Sequence, residues 1–260
     1  MPFITYKNKS LHYSIKSPKS NAKESKALIL IHGSGENLNV WKHQLEKINL
    51  QINLIAVDLP SHGKSGNFKT ETLTLDFYVN AVKRLKEELN LETLVLGGHS
   101  LGGAVVQTYY FTYPEDITGL ILMSTGGRLR VSPRILKSVK TQFDQFLDTI
   151  SIASFHRKTN DEIINPYIEE ISKVDSKVIH KDFKICDNFD ILDKVGKIKV
   201  PCLILVGKVD KLTPVKYQKY FNKHIDNSEL VIINKAGHAV MLEKPSTVNR
   251  EIERFIKNTY

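Results

Sequence analysis

The chain has 260 residues, of which 41% are hydrophobic and 25% charged, a composition typical of one folded domain with a substantial core. Its net charge is +9, but the lysines are spread along the whole length rather than gathered into an arginine-rich stripe, so we expect no nucleic-acid partner. The N-terminus does not resemble a signal peptide, and no run approaches the roughly 18 apolar residues that span a bilayer, so we expect no membrane span and a cytoplasmic location.

The predicted elements begin with a hairpin of strands at residues 3–6 and 11–15, followed by a polar connector at 16–26. From there, short apolar runs alternate with segments of helical periodicity. The runs lie at residues 27–31, 52–57, 93–96, 120–123, 202–206 and 230–233. This alternation predicts an α/β fold whose central sheet is mostly parallel and is covered by helices on both faces.

The pentapeptide Gly98-His99-Ser100-Leu101-Gly102 stands between the third of these runs and a helical pattern at 101–112. A Gly-x-Ser-x-Gly sequence in that context predicts a sharp strand-to-helix turn that exposes the serine as a nucleophile. The pentapeptide alone arises by chance in roughly one chain in ten of this length, and its flanking strand and helix strengthen the prediction. His99 receives no catalytic role, because a side chain adjacent to the nucleophile points elsewhere.

A long interval, residues 124–201, interrupts the alternation. Apolar residues recur in it at helical spacing between 135 and 150 and between 163 and 171. We predict a helical cap at 127–196, inserted after the sixth strand over the carboxyl edge of the sheet, with a core formed by 1–126 and 197–260. A separate domain is disfavoured, because the interval contains no long flexible stretch.

A serine nucleophile requires a base within hydrogen-bond reach and a carboxylate that fixes the tautomer of that base. Of the nine histidines, His238 follows the last predicted strand and precedes the final helical pattern at 245–256. Asp210 directly follows the run at 202–206, so both residues are predicted at the edge that carries Ser100. Three other aspartates are weaker candidates for the acid than Asp210, because they lie near the end of the insert rather than directly after a strand. They are Asp187, Asp190 and Asp193.

An oxyanion intermediate needs two backbone amide donors. We predict the amide of Leu101, directly after the nucleophile, and the amide of Ser34, in a glycine-containing turn after the run at 27–31. Trp41, Phe143 and Phe146 are candidate pocket residues, with core packing as the alternative. An apolar, cap-covered pocket suits a small neutral ester.

Four segments resemble motifs of the α/β-hydrolase fold superfamily. They are His32-Gly33-Ser34-Gly35 for the oxyanion loop, residues 58–65 for the turn after the next strand, residues 98–102 for the nucleophile turn, and Gly237-His238 for the base loop. The chain order serine, aspartate, histidine agrees with this superfamily. The resemblance extends over almost the whole chain outside the cap, to capped bacterial carboxylesterases, perhydrolases and carbon-carbon bond hydrolases.

The resemblance also implies that Asp58, His62 and Ser65 are structural turn residues and that His32 orients the oxyanion loop. None of these four is expected to take part in chemistry. The two cysteines, Cys186 and Cys202, have neither redox nor metal-ligand spacing, so neither a disulfide nor a metal site is indicated.

Together, the residues and the resemblance predict a carboxylesterase-like serine hydrolase that cleaves small esters through an acyl-enzyme, without metal or organic cofactor, as a monomer or homodimer. A serine nucleophile argues against dehalogenase and epoxide hydrolase chemistry, which uses a carboxylate there. Three alternatives stay open. A meta-cleavage carbon-carbon hydrolase is weakened because Glu36-Asn37 follows the loop where such enzymes often have proline and glycine. A perhydrolase is also weakened, because perhydrolases commonly carry methionine at the position where this chain has Leu101. A ligand receptor on this fold would have the same triad residues as an enzyme, so the residues do not argue against it.

Overall fold

The computed structural model describes residues 2–18 and 25–260, so residues 19–24 of the predicted connector lie outside the described residues. The described chain forms an eight-stranded sheet in the order β1-β2-β4-β3-β5-β6-β7-β8. Its strands are β1 (Phe3–Tyr6), β2 (Lys9–Lys16), β3 (Lys26–Ile31), β4 (Asn53–Val57), β5 (Thr93–His99), β6 (Ile117–Met123), β7 (Cys202–Gly207) and β8 (Ser228–Ile233). β2 runs antiparallel to both of its neighbours, and every other pairing is parallel.

Helices connect the parallel strands and form the insertion between β6 and β7. They are α1 (Lys42–Lys47), α2 (Leu75–Glu88), α3 (Leu101–Thr112), α4 (Pro133–Thr141), α5 (Phe143–Ser154), α6 (Asp161–Ser172), α7 (Ser176–Asn188), α8 (Val215–His224), α9 (Val240–Glu243) and α10 (Pro245–Thr259). Several begin at a polar side chain that accepts a hydrogen bond from an amide of the first turn, as preferred N-cap residues do. These caps are Thr74 for α2, Ser132 for α4, Asn160 for α6 and Asp175 for α7.

The hydrophobic core lies on both faces of the central strands. Every residue of β4 and β7 is buried, and in β3 and β5 only the first residue is not. Because successive side chains of a strand point to opposite faces, this burial requires cover on both sides of the sheet. Each fully buried aliphatic side chain contributes roughly 1.5–3 kcal/mol. The predicted α/β-hydrolase fold, with its mostly parallel sheet, is confirmed.

Four helices, α4 to α7, fill the chain between β6 and β7. The two ends of this insertion are held together, because Ile191 N donates to Gly127 O at 2.7 Å and Arg128 pairs with Asp190 at 2.6 Å. Helix α7 packs against α3, the helix that follows Ser100. The division into a cap at 127–196 and a core at 1–126 and 197–260 stays a prediction.

None of the helices in the described ranges combines the length and the apolar character that a membrane crossing demands. The cytoplasmic location and the monomeric or homodimeric state stay predictions.

Candidate active site

Ser100 occupies the sharp turn between β5 and α3. Its backbone is left-handed, with φ 53° and ψ −115°, a strained conformation that a non-glycine residue rarely adopts. The flanking glycines make this turn possible. A Cβ on Gly98 would stand 2.2 Å from the carbonyl oxygen of Gly102, and a Cβ on Gly102 would stand 2.3 Å from that of Ile31. The structure therefore forms the strand-to-helix turn that the pentapeptide predicts.

Asp210 and His238 meet at the carboxyl ends of β7 and β8. The Nδ1 atom of His238 lies 2.9 Å from Asp210 Oδ2 and 3.1 Å from Oδ1, and both side chains are buried. Backbone amides of Leu212 and Thr213 donate to Asp210 Oδ1 at 2.9 and 2.8 Å, and the Thr213 hydroxyl donates to Oδ2 at 2.8 Å. Because the carboxylate accepts from Nδ1–H, the Nε2 atom of a neutral His238 is free to accept a proton.

Burial alone would raise the pKa of Asp210. The adjacent His238, through its charge and its hydrogen bond, and the bonds from Thr213 outweigh burial and hold that pKa below its ordinary value. Asp210 is therefore an anion near neutral pH, as a residue that orients an imidazole must be.

The ring of His238 lies next to that of His99, with 4.6 Å between the ring centroids, and His99 immediately precedes Ser100. Within residues 2–18 and 25–260, no hydrogen bond joins Ser100 Oγ to His238 Nε2. Such bonds are often long in free enzymes and shorten when substrate binds. The structure thus brings Asp210 and His238 into contact and places the imidazole beside the turn that carries Ser100.

The loop after β3 presents three consecutive amides, and carboxylates bind the outer two. Gly33 N donates to Glu36 Oε2 at 2.6 Å, and Gly35 N donates to Asp182 Oδ2 at 3.1 Å. The amide of Ser34 between them donates to no acceptor in the described part of the chain. The loop lies against the nucleophile turn, since a Cβ on Gly33 would stand 3.1 Å from Ser100 Cβ.

The amide of Leu101 is also without an acceptor among the described residues. It is the first amide of α3, and the first amides of a helix have no partner within the helix. Neither of the two amides predicted as oxyanion donors therefore has an acceptor in the described part of the chain, and their role as oxyanion donors stays a prediction.

A buried ion pair that the sequence did not predict lies beside this loop. His99 Nδ1–H donates to Glu36 Oε2 at 2.9 Å, and His99 Nε2–H donates to the carbonyl of His238 at 3.1 Å. Because both partners only accept, both ring nitrogens carry a proton and His99 is an imidazolium. The hydroxyl of Tyr167, on α6, donates to Glu36 Oε1 at 2.8 Å. One carboxylate therefore connects the oxyanion loop, the nucleophile turn and the insertion.

The pKa values agree with this charge assignment. Burial lowers the pKa of His99, but the Glu36 carboxylate more than compensates, and the net pKa is raised. Burial raises the pKa of Glu36, but His99 and the hydrogen bonds from Gly33 and Tyr167 bring it down to about 2.

A second buried ion pair joins the insertion to the core. Asp182 of α7 accepts from His62 Nε2 at 2.9 Å and from the Tyr78 hydroxyl at 2.7 Å, in addition to Gly35 N. The other ring nitrogen of His62 donates to the carbonyl of Pro60 at 3.1 Å, so His62 is also an imidazolium. Burial lowers the pKa of His62, but the Asp182 carboxylate raises it by more than burial lowers it. The net pKa of His62 is therefore above its ordinary value.

The four residues expected to be structural hold loops in place. Asp58 accepts from the amides of Leu38 and Lys64, and the Ser65 hydroxyl donates to the Asp58 carbonyl at 2.7 Å. His32 Nδ1–H donates to Gly33 O at 2.8 Å, and its Nε2 accepts from an amide, so its ring is neutral. Burial and the nearby His62 lower its pKa to about 4. His62 does more than expected, since it pairs with the insertion.

Of the predicted pocket residues, Trp41 and Phe146 are buried and Phe143 is partly buried. Trp41 is fully buried, and Phe143 stacks on Phe146 with 5.7 Å between ring centroids. Two cavities of about 660 and 450 Å³ lie between the loop at 36–46 and the insertion, and these three residues line neither of them. Their role in a pocket stays a prediction.

Within residues 2–18 and 25–260, no group of three or more histidine, cysteine, aspartate or glutamate side chains is placed so that it could hold a metal ion.

A serine on a strained strand-to-helix turn, at the carboxyl edge of a mostly parallel sheet of this order, defines the α/β hydrolases. The family model described as serine aminopeptidase, S33, matches residues 22–245, and the chain belongs to this family.

Individual proteins agree with this assignment. The chain is 26% identical over 227 residues to pimeloyl-(acyl-carrier protein) methyl ester esterase of Pseudoalteromonas atlantica, a match that covers 81% of this chain and 86% of that protein. It is 37% identical to a thermophilic esterase of solved structure, with a TM-score of 0.85 over 99% of this chain and 97% of the other. The enol-lactonase of Burkholderia xenovorans LB400 shares the fold, with a TM-score of 0.90 over 98% of this chain and 100% of that one, at 18% identity. The chain is thus an α/β hydrolase with esterases among its relatives.

Proposed function

We propose that the protein is a serine hydrolase that cleaves small, mainly apolar carboxylic esters. The observation that carries the proposal is the pairing of His238 with the Asp210 carboxylate beside the strained turn of Ser100. A nucleophile, a base and an orienting acid with these placements perform acyl transfer on several unrelated folds.

In the proposed mechanism, His238 Nε2 takes the proton of Ser100 Oγ as the oxygen attacks the ester carbonyl. The oxyanion then accepts hydrogen bonds from the amides of Ser34 and Leu101. His238 gives its proton to the departing alcohol, and an acyl-enzyme remains on Ser100. Water attacks the acyl-enzyme while His238 takes one of its protons, and the acid is released as His238 returns that proton to Ser100 Oγ, which restores the serine.

Two features support an ester as the substrate. Among residues 2–18 and 25–260, the amides of Ser34 and Leu101 have no competing acceptor, which suits them to bind the oxygen of a tetrahedral intermediate. The relatives also include esterases at 26% and 37% identity. The acyl chain and the alcohol are left open by this proposal.

The test is turnover of a p-nitrophenyl ester series from acetate to dodecanoate by the wild type, Ser100→Ala and Ser124→Ala. Ser124 is a matched control, because it also has positive φ (45°) at the carboxyl end of a central strand. We expect turnover by the wild type and Ser124→Ala, with an optimum chain length, and none above background by Ser100→Ala. Equal turnover by the Ser100→Ala protein would reject the nucleophile. Negligible turnover by a folded wild type would reject ester hydrolysis as the function. It would favour a carbon-carbon bond hydrolase or a ligand receptor on this fold.

A further inference from the structure

The side chain of Asp182 connects the insertion to three separate elements of the core. It is fully buried on α7, and it accepts hydrogen bonds from Gly35 in the loop after β3, from His62 in the loop after β4 and from Tyr78 in α2. A carboxylate with no solvent contact is stable only when charge and hydrogen bonds replace its hydration. Here the His62 imidazolium replaces the charge, and Gly35 N and the Tyr78 hydroxyl complete the hydrogen bonding.

Gly35 contacts helix α7 through a second residue, Ile179. Gly35 has a φ of +68°, and a Cβ there would stand 3.1 Å from Ile179 Cγ1, on the same face of α7 as Asp182. The helix therefore rests directly on the loop, with Ile179 packed on Gly35 while Asp182 binds its amide. Two residues of α7 therefore contact the loop at the same glycine.

The position of Gly35 in the loop makes this contact relevant to the chemistry. Ser34 N, the proposed oxyanion donor, lies between Gly33 N and Gly35 N, and a carboxylate holds each of these outer amides. Glu36 holds the first from within the loop, and Asp182 holds the second from the insertion. With both neighbours fixed, the direction of the Ser34 N–H bond is set before substrate arrives.

We infer that Asp182 is a positioning residue that holds the oxyanion loop from the insertion, so that helix α7 is part of the machinery that stabilises the intermediate. This inference rests on the proposed function, because it gives Asp182 its effect through the amide of Ser34. It assigns the insertion a role beyond covering the site. Preorganised donors are effective because they need no reorganisation during the reaction, and a displacement of about 1 Å can cost about 100-fold in rate.

The test compares Asp182→Leu, Asp182→Asn and the control Asp116→Leu. Asp116 is a matched control, because it is another buried carboxylate that accepts from a tyrosine hydroxyl and pairs with cations, Lys83 and Lys86. It precedes β6, at the edge of the sheet opposite to Ser100. If kcat depended only on general packing, both leucine variants would lose kcat. If Asp182 is a positioning residue, only the Asp182→Leu protein loses kcat.

For p-nitrophenyl butyrate, we expect Asp182→Leu to lower kcat by about 10-fold to 100-fold with little change in KM, since the lost interaction acts on the intermediate. Asp182→Asn keeps one oxygen that can accept from Gly35 N, so it should restore most of kcat. Asp116→Leu should lower the melting temperature and leave kcat near the wild-type value. Wild-type kcat in the Asp182→Leu protein, or an equal loss in the Asp116→Leu protein, would overturn the inference.

Amide hydrogen exchange of peptides that contain residues 33–36 gives a readout independent of turnover. In the wild type this loop should be protected, and in Asp182→Leu it should exchange faster while β3 stays protected. If the wild type cleaves no ester, the exchange result still decides whether Asp182 holds the loop, so the two failures are distinguishable. Rapid exchange of the loop in the wild type would overturn the inference even if the leucine variant does not fold.

Discussion

Replacement of Glu36 by leucine should strongly destabilise the fold, although the substitution is close in size. The carboxylate is only 2% exposed and accepts from Gly33 N, His99 and Tyr167. Leucine leaves all three donors buried without an acceptor, at about 1–3 kcal/mol for each group that stays unpaired. His99 can release its proton and so reduce this cost. Breaking one partner of a buried ion pair typically costs about 3–5 kcal/mol, and we expect a loss in this range.

The assay is urea denaturation followed by fluorescence of Trp41, the single tryptophan, which is fully buried in the native state. Glu36→Gln keeps an acceptor oxygen and should lose less than half as much stability. Glu46→Leu, an exposed change on α1, should stay within about 0.5 kcal/mol of the wild type. A Glu36→Leu protein whose free energy of unfolding lies within about 1 kcal/mol of the wild type would show that the three donors do not depend on Glu36.

The same pair predicts how stability depends on pH. The pKa of Glu36 falls from 4.5 to about 2 on folding, so its contribution is present above pH 4.5 and is lost as pH falls toward 2. The pKa of His99 is raised above 6.5, so its contribution is present below pH 6.5 and is lost as pH rises through the raised value. The pair therefore contributes fully between about pH 4.5 and 6.5, and unfolding free energies across pH should show a shallower acid limb for Glu36→Gln than for the wild type.

Three further predictions address the nucleophile turn, the acid and the cysteines. Gly98→Ala should prevent folding of the turn, because its Cβ would stand 2.2 Å from the Gly102 carbonyl oxygen; a native melting temperature would contradict this. Asp210→Asn should lower kcat by about 10⁴-fold, because it favours the wrong tautomer of the base, and a loss below tenfold in ester assays would move the acid elsewhere. Burial raises the pKa of Cys186 and of Cys202 to about 12, so iodoacetamide should label neither in the native protein and both in urea; rapid native labelling would show that the thiols are accessible.

The fold was accessible from the sequence because the parallel strands are buried on both faces and so consist of continuous apolar runs. The predicted run at 27–31 is β3 apart from one residue, and the run at 202–206 is β7 without its last glycine. Agreement is poorest where polar or small residues belong to a strand. β6 begins at Ile117, three residues before the predicted run, because Thr118 and Gly119 do not continue an apolar pattern.

The buried ion pairs could not be predicted in the same way. Glu36 and His99 are 63 residues apart, and His62 and Asp182 are 120 residues apart, so only the folded chain brings them together. Helical periodicity locates the apolar face of α7, but it does not distinguish a buried aspartate from a solvated one. One usable signal was Glu36 itself, since a carboxylate directly after a glycine-rich turn can cap the amides of that turn.

The assignment of Ser100 as the nucleophile is tested by the reaction of the native protein with a fluorophosphonate, followed by intact mass measurement and peptide mapping. An activated serine displaces fluoride and retains the phosphonyl group, whichever ester is the natural substrate. We expect a single adduct on Ser100, absent from Ser100→Ala and formed far more slowly by Asp210→Asn. An adduct on another residue, or an unlabelled wild type that is fully folded, would contradict the assignment of Ser100 as the nucleophile.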